Sequence, residues 1–152
     1  MPEAWRIVKA RHASAAFSGK GAAAHGGRWN SRGVSVVYTS GSKSLAALES
    51  LVQLNPAVHF KYVAIRVEFE DAIMEEISLK KLPLDWQVEP PAASTQQIGD
   101  DWVREARSAV LLLPSVIIPS EPNYLLNPAH PSFKRISIGK PEKFTFDPRL
   151  LT

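Results

Sequence analysis

Cysteine is missing from all 152 residues. That absence excludes disulfides and thiol catalysis, fits a reducing compartment, and leaves any metal site to His and carboxylates. Long apolar runs are missing too; none approaches the roughly 18 residues of a membrane span. The opening Met1-Pro2-Glu3-Ala4-Trp5-Arg6 has no basic segment followed by an apolar stretch, so no secretory signal is read and a cytoplasmic protein is expected. There is no internal repeat and no low-complexity block. Metal-ligand spacing such as His-Glu-x-x-His is absent, so His25 and His130 argue for no metal site. A Gly-x-Ser-x-Gly elbow is absent as well, which speaks against a serine hydrolase. Charge of either sign is modest, with a net +3. No stacked-aromatic RNA motif accompanies it, and direct nucleic-acid binding is not expected.

What is present suits one globular domain spanning 1–152, with 45% hydrophobic residues to fill a core. The charge is uneven. Residues 1–35 hold Arg6, Lys9, Arg11, Lys20, Arg28 and Arg32 against the single acid Glu3. Residues 68–76 hold Glu68, Glu70, Asp71, Glu75 and Glu76 with no base. A basic first third suits a phosphate-bearing ligand.

Strands are read at 4–9, 34–39, 60–69 and 72–78, then at 109–118, 133–138 and 143–146. In the run 60–69, Val63, Ile65, Val67 and Phe69 fall on one face. Pro114 implies a bulge or an edge position for its strand. Helices are read at 43–54, capped by Ser42 or Ser44, and at 94–108, supported by Asp100 to Arg104. The first carries the apolar stripe Leu45, Leu48, Leu51 and Val52 and is ended by Asn55-Pro56. Segments 13–27, 82–93 and 119–131 read as loops. The sum is α+β: a mixed β-sheet core with flanking helices.

Three residues carry chemical interest. Arg28 follows Gly26-Gly27, where a ligand can come close, and its guanidinium fork matches a phosphate. The ordinary alternative is an arginine pairing with a nearby acid. Tyr38 ends an apolar run and offers a face to a flat, cationic ring, or is simply a rim tyrosine. Glu49 interrupts an apolar helix pattern. It either faces solvent or enters a cleft, where it could bond a ribose hydroxyl and stabilise positive charge at a sugar carbon. Ser115, inside an apolar run, needs a hydrogen-bond partner. Asn123 and Asn127, in a stiff loop, can bond the backbone or a ligand, and the structural role is favoured for both.

The pattern resembles the RES domain family. The matching pieces are Trp5-Arg6, Gly27-Arg28-Trp29-Asn30 with Gly33, Val37-Tyr38, Ala47-Leu48-Glu49, Leu82-Pro83 with Trp86, Gly99-Asp100 with Trp102, Pro114-Ser115, and Asn123-Tyr124-Leu125-Leu126-Asn127-Pro128 with His130-Pro131. They run in order along nearly the whole chain; Ser120 competes with Ser115 for the serine of the pattern. The resemblance implies an ADP-ribosyltransferase-like fold and the toxin half of a bacterial toxin–antitoxin pair. Its implied partner is an Xre-type helix-turn-helix antitoxin that covers the active site, with the toxin as a homodimer inside a larger complex. The implied activity is NAD cleavage at the nicotinamide–ribose bond, by hydrolysis or phosphorolysis, with NAD as substrate and no separate cofactor. Arg28 would bind NAD, Tyr38 would pack on the nicotinamide end, Glu49 would act at the ribose, and Ser115 would complete the pocket. ADP-ribosylation of a protein is the alternative, and a non-catalytic nucleotide-binding module the second.

Overall fold

The computed structural model describes residues 1–53 and 60–151. An eight-stranded mixed sheet is its centre. The strands are β1 (Glu3–Lys9), β2 (Val37–Ser40), β3 (Tyr62–Glu68), β4 (Met74–Glu76), β5 (Val110–Pro114), β6 (Pro122–Leu126), β7 (Ser137–Ile138) and β8 (Glu142–Phe144). Their order is β4-β5-β6-β2-β1-β3-β7, with β8 also on β3. Only β4 and β5 run parallel; every other pair is antiparallel. The helices are α1 (Lys20–His25), α2 (Lys43–Leu51) and α3 (Ala93–Arg104). This is the α+β arrangement that the sequence implies.

Two cores flank the sheet. One gathers Ala4, Val37, Val67, Phe69, Val110, Tyr124 and Leu126. The other gathers Trp29, Val36, Trp86, Trp102, Leu111, Leu113 and Leu125. Neighbouring residues of β5 and β6 therefore serve opposite cores, which explains the unbroken apolar run in β5.

The central strand β6 lies inside the segment 119–131 that the sequence marks as loop. Its prolines mislead because Pro122 stands at the strand's first position, opposite Pro114 at the last position of β5. The pairing runs one bond past them, from the Ser115 N–H to the Glu121 carbonyl, and stops where the Glu121 N–H turns to Ile118. The run 109–118 is shorter than expected for the same reason, and β5 is interior, not an edge.

Other boundaries shift locally. The strand expected at 34–39 starts at Val37, because the Val34 carbonyl accepts from Asn30 Nδ2 and its N–H donates to Ser31. Within 13–27 the chain forms the end of a 3₁₀ turn, Ala10–Ala15, and then α1. Residues 72–78 form only β4, after a 3₁₀ turn at Asp71–Ile73. Residues 133–138 open as a 3₁₀ turn, Pro131–Arg135, whose Ser132 N–H donates to His130 Nδ1. The helix at 94–108 stops at Arg104, since Ala106 takes φ +50° and Ser108 turns back to accept from Trp102 Nε1. Arg104 pairs with Asp101, not Asp100.

Helix α2 is capped by Ser42, whose hydroxyl accepts from the Leu45 N–H at 3.1 Å. It buries Leu45 and Ala46, but Leu48 and Val52 of the expected stripe are exposed. Asn55-Pro56, the expected stop, lies outside the described residues. In β3, Ile65 and Val67 are buried as expected, while Tyr62 and Ala64 on the opposite face are buried too. The Phe146 ring packs edge-on to Tyr62 at 5.1 Å and helps to cover that face.

Candidate active site

Ser40, Asn123 and Leu113 are opposed across β2, β6 and β5. Tyr38 and Leu125 are opposed two residues further on, on the same face, roughly 7 Å along the strands. Helix α2 packs on β1 and β2 and brings Glu49 to this face. Its Oε2 accepts from Ser115 Oγ at 3.2 Å and from Asn123 Nδ2. Oε1 has no hydrogen-bond partner among the described residues.

Ser115 is fully buried. Its hydroxyl also accepts from the N–H groups of Ile117 and Ile118, both at 3.1 Å. One serine thus holds the turn after β5 and donates to the carboxylate. Ser120 is exposed and makes no hydrogen bond with Glu49.

Arg28 sits in a turn closed by the Gly27 N–H to the Asn30 carbonyl. Asn30 is buried, and its Nδ2 donates to the carbonyls of Ala22, Ser31 and Val34. From α3, Gln96 donates to the Gly27 carbonyl, and Asp100 accepts from the Ser31 N–H and hydroxyl. Tyr38 completes the clasp. Its hydroxyl accepts from the Trp29 N–H and donates to Asn30 Oδ1 at 2.6 Å. Burial pushes the Tyr38 phenol above its ordinary range.

The Arg28 fork is occupied. Nη1 donates to the carbonyls of Trp86 and Val88, and Nη2 meets Glu89 at 2.7 Å. Glu89 is 74% exposed, so this ion pair adds little stability. Arg28 makes no hydrogen bond or ion pair with Glu49. Arg6 is not part of a free basic surface: it donates to the carbonyls of Ala16 and Tyr38, and burial pulls its pKa down to about 10. The basic first third is therefore partly internal wiring.

The structure joins Glu49 with Ser115; Tyr38 lies two residues along β2 from Ser40 and is bonded to the Arg28 turn, and neither Tyr38 nor Arg28 bonds to Glu49. It adds Asn123, which the sequence reads as structural. The sequence leaves its partner hidden, because that partner is 74 residues away. Asn127 does play a structural part, accepting from the Ala129 N–H. His130 accepts from Ser132 N–H and touches the Ala106 carbonyl, while His25 is exposed. No group of three His, Asp or Glu side chains converges among the described residues. A cavity of about 470 Å³ lies elsewhere, along β3 and β8 beside Phe60, Tyr62, Phe144 and Phe146.

A carboxylate steered by two donors, one of them a buried serine, shares a sheet face with an aromatic whose hydroxyl clasps an arginine-bearing loop. The RES domain model matches residues 3–147, and the chain belongs to the RES domain family. It is 38% identical to "Toxin Res" of Yersinia enterocolitica over 148 residues, covering 96% of this chain and 97% of that protein. It is also 38% identical to the "Prs ADP-ribosylating toxin" of a Sphingobium species, covering 97% and 95%. A chain from the crystal structure of the M. tuberculosis MbcT–MbcA toxin–antitoxin complex superposes with a TM-score of 0.74 at 14% identity, over 95% of this chain and 84% of that one. That likeness is one of fold. The protein is a toxin of the RES family.

Proposed function

We propose that this toxin consumes NAD by breaking the bond between nicotinamide and ribose. The observation that carries the reading is the Glu49 carboxylate, held through Oε2 by Ser115 and Asn123 with Oε1 left for a ligand. The nicotinamide of NAD is cationic and departs as a neutral base, taking the bonding pair with it. Positive charge then grows on the ribose carbon, and a fixed carboxylate stabilises that state more than the ground state. Tyr38 offers its ring to the nicotinamide end, and Arg28 matches the pyrophosphate. NAD is the substrate, and no separate cofactor enters.

Water or inorganic phosphate is the leading acceptor of ADP-ribose. A protein acceptor is the second reading, favoured by the name of the Sphingobium relative. The purified toxin is incubated with NAD, with and without phosphate, and products are followed. Loss of NAD by wild type, reduced at least about a hundredfold in Glu49→Ala, is expected. Intact NAD, or equal loss in both proteins, overturns the reading and leaves a binding module. Label transferred from NAD to a macromolecule selects the second reading.

An enzyme of this kind harms its own cell unless covered. We assign it an antitoxin partner of the Xre helix-turn-helix type, acting on a cytoplasmic toxin that pairs as a homodimer within a larger complex. Exposed Leu48, Leu84, Val88 and Ile117 lie on or next to the segments that carry the site, and they suit burial by a partner. No described helix is long and apolar enough to cross a membrane.

A further inference from the structure

We propose that Asn123 is a positioning residue that sets the orientation of the Glu49 carboxylate. The role presupposes that Glu49 acts on NAD, as proposed above. Asn123 Nδ2 donates to Glu49 Oε2, and Asn123 Oδ1 is buried without a partner among the described residues. Asparagines that serve the fold in this protein behave differently. Asn30 satisfies both ends of its amide, with three carbonyls on Nδ2 and the Tyr38 hydroxyl on Oδ1. Asn127 uses Oδ1 to close a local turn. Asn123 instead leaves a buried acceptor unmatched, which folded proteins avoid.

The carboxylate explains the choice. Rotating the amide by half a turn would set Oδ1 against Glu49 Oε2, acceptor against acceptor. Ser115 donates to the same oxygen, so Oε2 faces the sheet and its two donors. Oε1 is thereby turned away from them, free to meet the substrate. Strand β6 supplies the rigidity, because Asn123 is paired across both neighbouring strands, to Ser40 and to Leu113. Ser115 alone would leave the carboxylate one tether about which to swing.

Two variants separate positioning from packing. Asn123→Asp keeps the shape but replaces the donor by a second carboxylate oxygen; Asn123→Ala removes the shape. Positioning predicts a loss in kcat on the order of a hundredfold for Asn123→Asp, at least as large as for Asn123→Ala, with KM within about threefold. An Asp variant that keeps wild-type kcat, or a loss confined to KM, overturns the role. Chemical unfolding of the free proteins supplies a readout without turnover. Asn123→Asp lowers stability, and adding Glu49→Gln restores it, because the pair exchanges donor and acceptor. Simple additivity in that cycle overturns the pairing. Wild type that leaves NAD intact overturns the NAD reading, and the unfolding cycle then decides the pairing by itself.

Discussion

Tyr38 accepts from the Trp29 N–H and donates to Asn30, so its hydroxyl fixes the turn that presents Arg28. Tyr38→Phe strands both partners and is expected to cost about 1–3 kcal/mol at neutral pH, measured by denaturant unfolding. A pH dependence follows. Burial raises the folded pKa above the ordinary 10.0, so the unfolded chain releases this proton first. The stability tied to the hydroxyl is present below pH 10 and is lost as pH rises toward the folded value. Tyr38→Phe therefore shows a shallower alkaline decline than wild type; Tyr62 and Tyr124, whose pKa values burial also raises, keep it from vanishing. At this scale the sequence shows which residues are unusual but not what they touch. Glu49 stands out because a carboxylate interrupts an apolar helix. Asn123 does not, because its meaning lies in a partner far along the chain.

Helix α3 acts on the site through its backbone. A β-carbon at Gly99 would lie 1.6 Å from the Trp29 carbonyl oxygen, so only glycine lets the helix settle against the Arg28 turn. Gly99→Ala forces the two segments apart. The expected cost is at least about 1–3 kcal/mol, visible as a lowered Tm. The proposed NAD consumption is expected to fall with it, since the bonds from Ser31 to Asp100 and from Gln96 to Gly27 cross the same contact. Gly27→Ala is a milder probe of the same clasp: its β-carbon would meet the Tyr38 hydroxyl at 2.6 Å. Elements with a strong period or cap, such as β1 and the start of α2, are legible in the sequence. β6 is not, because five residues fringed by prolines look like loop until their partners are known. The outward turn of Leu48 and Val52 is equally hidden; a helical stripe marks a face, not what covers it.

For the molecule as a whole, the exposed apolar side chains on the segments around the candidate site form the test of partnership. Leu84 is fully exposed. Leu84→Asp is expected to weaken co-elution with the co-expressed antitoxin about tenfold or more, with NAD consumption by the free toxin unchanged. Unaltered co-elution would place the partner elsewhere. The family and the α+β class are legible because their signals spread over the whole chain, while the assembly of the site depends on strand order. That order also divides the site into unlike walls. Ser115 and Asn123 close the ends of strands packed on both faces, whereas Arg28 is held by carbonyls and a carboxylate of segment 82–93. An anion at Arg28, as the proposed function requires, would have to displace Glu89, so that one negative charge returned to water as another left it. Recognition at that wall is a trade of like for like, and salt should weaken it far less than an open arginine patch would suggest.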